Sequence, residues 1–196
     1  MILGSHNSMS YLPVKQWYLK PFYWVGRCQS KDIEEQYKTG VKLFDFRIRF
    51  EENNAPVFAH GPMKFKGDVY EYLTMLNKIA ESPVYCRIIL ESNSPMKNQE
   101  KQEELFIEFC KNLSNYPNII PFGGRRKYDW SILYNFGTKE PVLDDKYSST
   151  TNIFGGPINK WTAKIDDIWP WLYAKTHNKR LLKYGTDKDV LFIDFV

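Results

Sequence analysis

The sequence predicts an α/β fold: a small or distorted (β/α)₈ barrel of the TIM type, formed by residues 1–196 as a single domain. Strand-like and helix-like segments alternate along the chain, and polar, reactive side chains fall at the C-terminal ends of the strands. The sequence has no Gly-rich dinucleotide or phosphate loop. A doubly wound sheet would gather its ligand at one switch point, whereas here every strand contributes, so the barrel is favoured.

The first sixty residues predict three strands and one helix. Ile2 and Leu3 end a short buried strand, and an aromatic segment follows at 11–28. A helix is predicted at 30–40, with Ser30 as N-cap and Gly40 as its stop. Strands are predicted at 41–50 and 55–61, the second ending at His60.

The rest of the chain continues the alternation. Apolar residues at helical spacing predict helices at 67–82 and 98–113. A buried strand at 84–92 ends at Glu91, and 114–140 fits neither pattern. Further segments are a strand at 141–147, a helix at 160–177 that Pro170 kinks or splits, and a last strand at 189–196.

Composition and charge exclude several classes of protein. The 27 Lys and Arg against 23 Asp and Glu give a net charge of +4. This charge indicates a mild preference for anionic partners but is too small to indicate a nucleic-acid-binding protein. The three cysteines lack CxxC spacing, which argues against a disulfide framework and a zinc site; Cys86 and Cys110 read as core thiols. With no signal peptide or long apolar run, the chain is expected to be soluble, cytoplasmic by default or secreted if a leader was removed.

Two histidines and one arginine at strand ends suggest a phosphodiester chemistry. His6 and His60 titrate near neutral pH, so they suit a general base and a general acid. Arg47 offers a fork of donors that fits a phosphate, and strand alternation puts Asp45 on the same face. The set predicts phosphoryl transfer without a required metal, in which a neighbouring hydroxyl attacks phosphorus and a cyclic phosphate forms. A single histidine at a strand end is more often structural, so the prediction depends on the joint pattern.

Three stretches carry a family resemblance. "GSHNS", "QSKDIEEQYKTGVKLFDFRIR" and "VFAHGP", most of residues 3–62, resemble the X-type domain of phosphatidylinositol-specific phospholipase C. Two shorter pieces, "DKY" at 145–147 and "FIDF" at 192–195, resemble later barrel strands of that family. The resemblance implies a distorted TIM barrel that cleaves phosphoinositide lipids to diacylglycerol and an inositol cyclic phosphate.

The resemblance also implies a role for each matched residue. His6 would be the base on the inositol 2-hydroxyl, Asp194 would hold its tautomer, and His60 would protonate the leaving oxygen. Arg47 would bind the phosphate, and Asp45 would orient Arg47 or His6. The residues expected to line the substrate site are Asn7, Glu91, Asp145 and Tyr147.

The sequence departs from the family pattern at Asn7 and in length. Bacterial members usually have aspartate where Asn7 stands; eukaryotic members have asparagine there, as a calcium ligand. In a calcium-dependent member, Asn7, Asp45 and Glu91 would be three of the calcium ligands. Arg47 stands where the fourth ligand would be, so a metal-independent enzyme is the favoured hypothesis. A calcium-dependent enzyme stays the alternative. The chain is also shorter than the roughly 250 residues of a typical barrel.

Aromatic side chains on the first βα segment admit two readings. Near Lys15, Lys20 and Arg27, they would form either a membrane interface or a cap on the barrel core; they are Trp17, Tyr18, Phe22, Tyr23 and Trp24. The later residues Trp161, Trp169 and Trp171 are predicted to pack inside, and His177 is assigned no chemistry.

Three functions remain open on sequence grounds. The first is a metal-independent phosphodiesterase acting on a phosphoinositide lipid, with peripheral membrane contact. The second is a calcium-dependent enzyme acting on another headgroup. The third is a non-catalytic barrel that retains a phosphate pocket.

Overall fold

A computed structural model describes residues 2–91, 98–124, 169–175, 178 and 190–196. The predicted strand at 141–147, with Asp145 and Tyr147, lies outside these residues, as do Trp161 and His177. Within the described residues the strands are β1 (Ile2–Ser5), β2 (Leu43–Phe50), β3 (Pro56–His60), β4 (Met63–Lys64), β5 (Val84–Leu90), β6 (Ile119–Gly124) and β7 (Val190–Ile193).

Helices follow β1, β4 and β5 along the chain. They are α1 (Tyr23–Gly26), α2 (Ile33–Lys38), α3 (Val69–Ile79) and α4 (Gln99–Lys111), with 3₁₀ turns at Trp17–Phe22 and Asn112–Asn115 and a helical stretch at 170–175. The N-cap of α2 is Asp32, two residues beyond the predicted Ser30, because Asp32 and Glu35 form a reciprocal capping box. Gly40 ends the helix as predicted, at a positive φ of 100°.

Five strands form a parallel sheet in the order β6, β5, β2, β1, β7. Their register sets the level at which the site is built. Asp45 of β2 pairs with Arg87 of β5, and Ser5 of β1 pairs with Phe44 and with Ile193 of β7. His6, Asp45 and Asp194 therefore follow these pairs at one level of the sheet.

The third strand departs from the expected parallel alternation. β3 is antiparallel to β2, with Ile48 opposite Phe58, and β4 continues as a second antiparallel strand. Residues 51–55 are too few for a parallel crossover, which needs a dozen or more. Because β1 ends at Ser5, the upper edge of β2 is left for β3, whose C-terminal end returns His60 toward the level of Phe46.

The core lies between the sheet and the helices. Its buried residues include Phe44, Phe46 and Ile48 of β2, whose side chains are fully covered. Cys86 and Cys110 are buried core thiols, as predicted, and burial raises the pKa of both. Within the described residues, no helix is long and apolar enough to cross a bilayer.

The last helical stretch corrects the prediction for two tryptophans. Pro170 occupies its first helical position, where a missing N–H costs nothing. Tyr173 and Ala174 are buried with Pro170, whereas Trp169 is 43% exposed and Trp171 44% exposed. The prediction that these two indoles pack inside was wrong, because the buried face of this turn is formed by positions 170, 173 and 174.

Candidate active site

The site begins in the sharp turn that follows β1. Ser8 N–H donates to the carbonyl of Asp45 and the Ser8 hydroxyl accepts from Asp45 N–H, so the turn is joined to β2 on both sides. Asn7 has a left-handed φ of 44°, and its backbone N–H donates to Asp45 Oδ2 at 2.9 Å. The short polar stretch after β1 thus bends the chain and holds His6 next to β2.

His6 is held on both ring nitrogens. Its Nδ1 lies 2.7 Å from Asp194 Oδ1, and Arg47 Nη2 donates to its Nε2. An arginine cannot accept a hydrogen bond, so Nε2 carries no proton and Nδ1–H donates to the carboxylate. Burial, then the Arg47 charge, lowers the pKa of His6 well below its usual range. A neutral imidazole with an unprotonated Nε2 is the form that a general base needs.

Arg47 is the buried cation of the site, with its guanidinium between three partners. Its Nε donates to Asp45 Oδ2 at 2.9 Å, and its Nη1 lies 3.6 Å from Glu91 Oε2. Burial alone would lower the pKa of Arg47, but the charges of Asp45 and Glu91 outweigh it and raise the pKa. The site thus holds a permanent fork of donors on β2, suited to an anion.

His60 faces His6 across the site. The two ring centroids are 6.2 Å apart and nearly perpendicular, at 86°. His60 Nδ1 donates to the carbonyl of Gly26 at 2.9 Å, which leaves Nε2 as the nitrogen for chemistry. Burial and the Arg47 charge lower the pKa of His60, although the Gly26 hydrogen bond opposes them.

Asp45 is enclosed by positive charge. Its Oδ1 accepts from Arg87 Nε at 2.7 Å, while Oδ2 accepts from Arg47 and from Asn7 N–H. Burial would raise the pKa of Asp45, but the two guanidinium groups outweigh it, and the pKa lies well below its usual range. Asp45 is therefore an ionised anchor for Arg47.

The donor set does not fit the calcium alternative. Both oxygens of Asp45 accept from arginines, and Arg47 also contacts Glu91, so two of the three supposed ligands are already neutralised. A divalent cation would have to stand against two guanidinium charges in a low-dielectric site. Asn7 would be left as a single neutral ligand.

Three buried residues of this centre escaped sequence analysis. Arg87 read as one polar residue inside an apolar strand, and its pairing with Asp45 depends on the β2–β5 register. Gln29 donates to the carbonyls of both His6 and Ile193, and so joins the ends of β1 and β7. Cys28 has its Sγ within 4.8 Å of ligand atoms of His6 and Asp194. Each makes contacts distant in sequence, so no local pattern signals them.

Sequence comparison identifies relatives of this chain among known proteins. The chain is 24% identical over 225 residues to the 1-phosphatidylinositol phosphodiesterases of two Staphylococcus aureus strains, Newman and NCTC 8325. The match covers 100% of this chain but about two thirds of those relatives, 69% and 66%. No family model matches the sequence. The chain is thus related in sequence to a bacterial phosphatidylinositol-specific phospholipase C.

Solved structures support the predicted fold. A phosphatidylinositol-specific phospholipase C variant from S. aureus aligns over 99% of this chain and 85% of its own, with a TM-score of 0.62 and 17% identity. The enzyme from Listeria monocytogenes aligns over 99% and 87%, with a TM-score of 0.59 and 18% identity. These enzymes are distorted TIM barrels, and the prediction of that fold is confirmed.

Proposed function

We propose that this chain is a phosphodiesterase that cleaves phosphatidylinositol-type lipids by acid–base catalysis without a metal, giving a cyclic phosphate. The supporting observation is that His6 contacts both Arg47 and Asp194 while the ring of His60 faces it at 6.2 Å. The sequence relatives are named phosphatidylinositol phosphodiesterases, which supports the same substrate class.

In the proposed first step, His6 Nε2 removes the proton of a hydroxyl adjacent to the phosphate. The oxygen attacks phosphorus, and Asp194 stabilises the imidazolium by accepting from Nδ1–H. Arg47, released from His6 by the incoming anion, stabilises charge on the phosphate oxygens. His60, protonated at Nε2, gives its proton to the leaving diacylglycerol oxygen, and a cyclic phosphate results.

Asn7 and Glu91 would complete the substrate site from two sides. Asn7 is 2% exposed, and within the described residues its Nδ2 has no hydrogen-bond partner, so an amide donor is available to a phosphate oxygen. Glu91 lies against Arg47 and would limit the rotation of its fork. Asp145 and Tyr147, outside the described residues, remain predicted contacts of the inositol ring.

The test is turnover of phosphatidylinositol vesicles with EDTA and with added calcium. We expect activity in EDTA, and a loss of roughly 10²–10⁴-fold in His6→Ala and in His60→Ala, the usual contribution of a positioned acid or base. His177→Ala is the control. Strict dependence on calcium would support the calcium alternative, and phosphate binding without turnover would support the non-catalytic barrel.

A further inference from the structure

The thiol of Cys28, which has no part in the proposed reaction, lies beside His6 and Asp194. Cys28 is 1% exposed, and its Sγ, an oxygen of Asp194 and a ring nitrogen of His6 all lie within 4.8 Å of one another. The three residues come from three separate segments: the turn after β1, the segment after α1, and the end of β7. They were brought together by the fold, which explains why cysteine spacing gave no sign of the cluster.

The backbone around this cluster is firmly held. Cys28 N–H donates to Ser10 Oγ at 2.9 Å, and the Cys28 carbonyl accepts from Phe195 N–H at 2.7 Å. His6 N–H donates to the carbonyl of Ile193 at 2.9 Å, which fixes the ends of β1 and β7 together. The backbone of this cluster is therefore fixed before a ligand binds, so little backbone entropy opposes a shared ligand.

We propose that His6, Cys28 and Asp194 form a binding site for Zn²⁺ and that the zinc-loaded protein is inactive. A thiolate, an imidazole and a carboxylate are all zinc ligands, and three protein ligands with a fourth position open to water are typical of catalytic zinc sites. Around a tetrahedral zinc the ligand atoms would lie about 3.3–3.6 Å apart, so the cluster needs shifts of about 1 Å. The His6 side chain is 19% exposed, which gives a fourth, water ligand a route.

The charges balance without a further partner. The thiolate of Cys28 and the carboxylate of Asp194 together neutralise Zn²⁺, while Arg47 is already compensated by Asp45 and Glu91. On binding, the thiol proton goes to solvent, and the proton of His6 Nδ1 is replaced by the metal and reappears on Nε2. His6 Nε2–H and Arg47 Nη2 are then two hydrogen-bond donors that face each other without an acceptor. Their loss of a hydrogen bond limits the affinity for zinc.

Inhibition follows from the same proton shift. With zinc on Nδ1 and a proton on Nε2, His6 cannot accept the substrate proton, and Arg47 loses its acceptor. This half of the proposal rests on the proposed phosphodiesterase function, whereas metal binding itself does not. The two are therefore tested by separate readouts.

The first readout is spectroscopic. Metal-free protein is titrated with Co²⁺, and zinc affinity is measured by competition with a chromophoric chelator. We expect one equivalent of metal and a thiolate-to-cobalt charge-transfer band that is lost in Cys28→Ser and kept in Cys110→Ser, the matched control in the core. Zinc affinity should fall in Cys28→Ser by more than the roughly 10–100-fold that loss of an outer-shell partner costs.

Further readouts separate the remaining outcomes. Asp194→Asn should also weaken zinc binding while keeping the charge-transfer band, and circular dichroism shows whether each variant folds. A band absent from the unmodified protein, or one that persists in Cys28→Ser, would overturn the zinc site. If bound zinc leaves phosphatidylinositol turnover unchanged, the proposed inhibition is wrong, although the zinc site itself is supported. If the metal-free protein shows no turnover, that result contradicts the proposed phosphodiesterase function and not the zinc site.

Discussion

At the scale of single residues, Asn7 places a buried amide, and not a charge, next to His6 in the chain. A carboxylate in place of the Asn7 amide would favour the charged form of His60. Here burial and Arg47 lower the pKa of His60, and an amide supplies no charge to oppose them. The proposed acid is thus harder to protonate than an unperturbed imidazole.

We expect Asn7→Asp to raise the pKa of His60 and so extend activity upward in pH. A general acid works only while protonated, so the alkaline limb of the kcat/KM profile lies at its pKa and moves with it. The measurement is the pH profile on phosphatidylinositol for both forms, with Asn54→Asp, an exposed left-handed turn residue, as control. A fall in activity with the fold intact would show that the Asn7 amide itself contacts the phosphate.

Arg87 is a second residue whose charge is expected to change the pKa of a histidine of the site. It donates to Asp45 at 2.7 Å and is 2% exposed. After burial and Arg47, its charge is among those that lower the pKa of His6. Arg87→Met removes that charge and leaves Asp45 less compensated, and both changes raise the pKa of His6.

We therefore expect Arg87→Met to move the acidic limb of the kcat/KM profile to higher pH, because a base works only above its pKa. Arg87→Lys should return much of the shift by restoring the charge. The half-buried Arg49→Met, on the same sheet, is the control. Breaking a buried pair costs about 3–5 kcal/mol, so thermal unfolding is measured alongside. An unmoved limb in a folded Arg87→Met would make Arg87 purely structural.

At the scale of elements, sequence patterns located β2, β5, α3 and α4 because each has a strong period or a buried apolar run. The direction of β3 was missed, although the signal was present: 51–55 contains Asn53 and Asn54, typical of a tight turn, and is too short for a crossover. Candidate site residues on strand ends could be identified because strand ends converge. Cross-strand partners such as Arg87 could not, because they depend on register.

Gly123 shows how tightly β6 meets β5. Its φ is 122°, and a Cβ there would lie 2.2 Å from the Ile88 carbonyl oxygen, a backbone atom that cannot rotate away. We expect Gly123→Ala to cost more than the roughly 1–3 kcal/mol of backbone strain alone. Gly61→Ala, at φ 54° with nothing within 4 Å, is the control for strain without a clash. Urea unfolding measures both; equal losses would mean that the sheet opens to admit the methyl group.

At the scale of the whole molecule, the aromatic segment after β1 forms a surface and not a core cap. Within it Trp17 is 79% exposed, Tyr18 57%, Phe22 55% and Trp24 45%. Tyr23 instead turns inward, and its hydroxyl donates to the Tyr11 carbonyl at 2.6 Å. Trp169, from far along the chain, meets Trp24 with ring centroids 5.7 Å apart. We call the four exposed residues together with Trp169 and Trp171 the aromatic surface.

The placement of the aromatic surface connects it with the candidate active site. Its first segment ends in α1, whose last residue, Gly26, accepts the hydrogen bond from His60, so the exposed rings and the site share one short stretch of chain. Monomeric proteins rarely expose so many large rings together unless they bind something. Trp and Tyr beside Lys20, on a chain of net charge +4, suit an anionic bilayer interface.

We expect Trp17→Ala to weaken binding to phosphatidylinositol-containing vesicles, because an exposed indole that enters the interface loses its contact with water. Burying a large apolar side chain contributes about 1.5–3 kcal/mol, which corresponds to roughly 10- to 100-fold in partitioning. Met75→Ala, a 42% exposed apolar residue on α3, is the matched control outside the aromatic surface. Vesicle sedimentation gives the binding, and turnover of a short-chain, monomeric substrate should stay unchanged because Trp17 is 79% exposed and its ring meets that of Tyr18. If Trp17→Ala and Met75→Ala bind equally well, the rings serve some purpose other than the membrane.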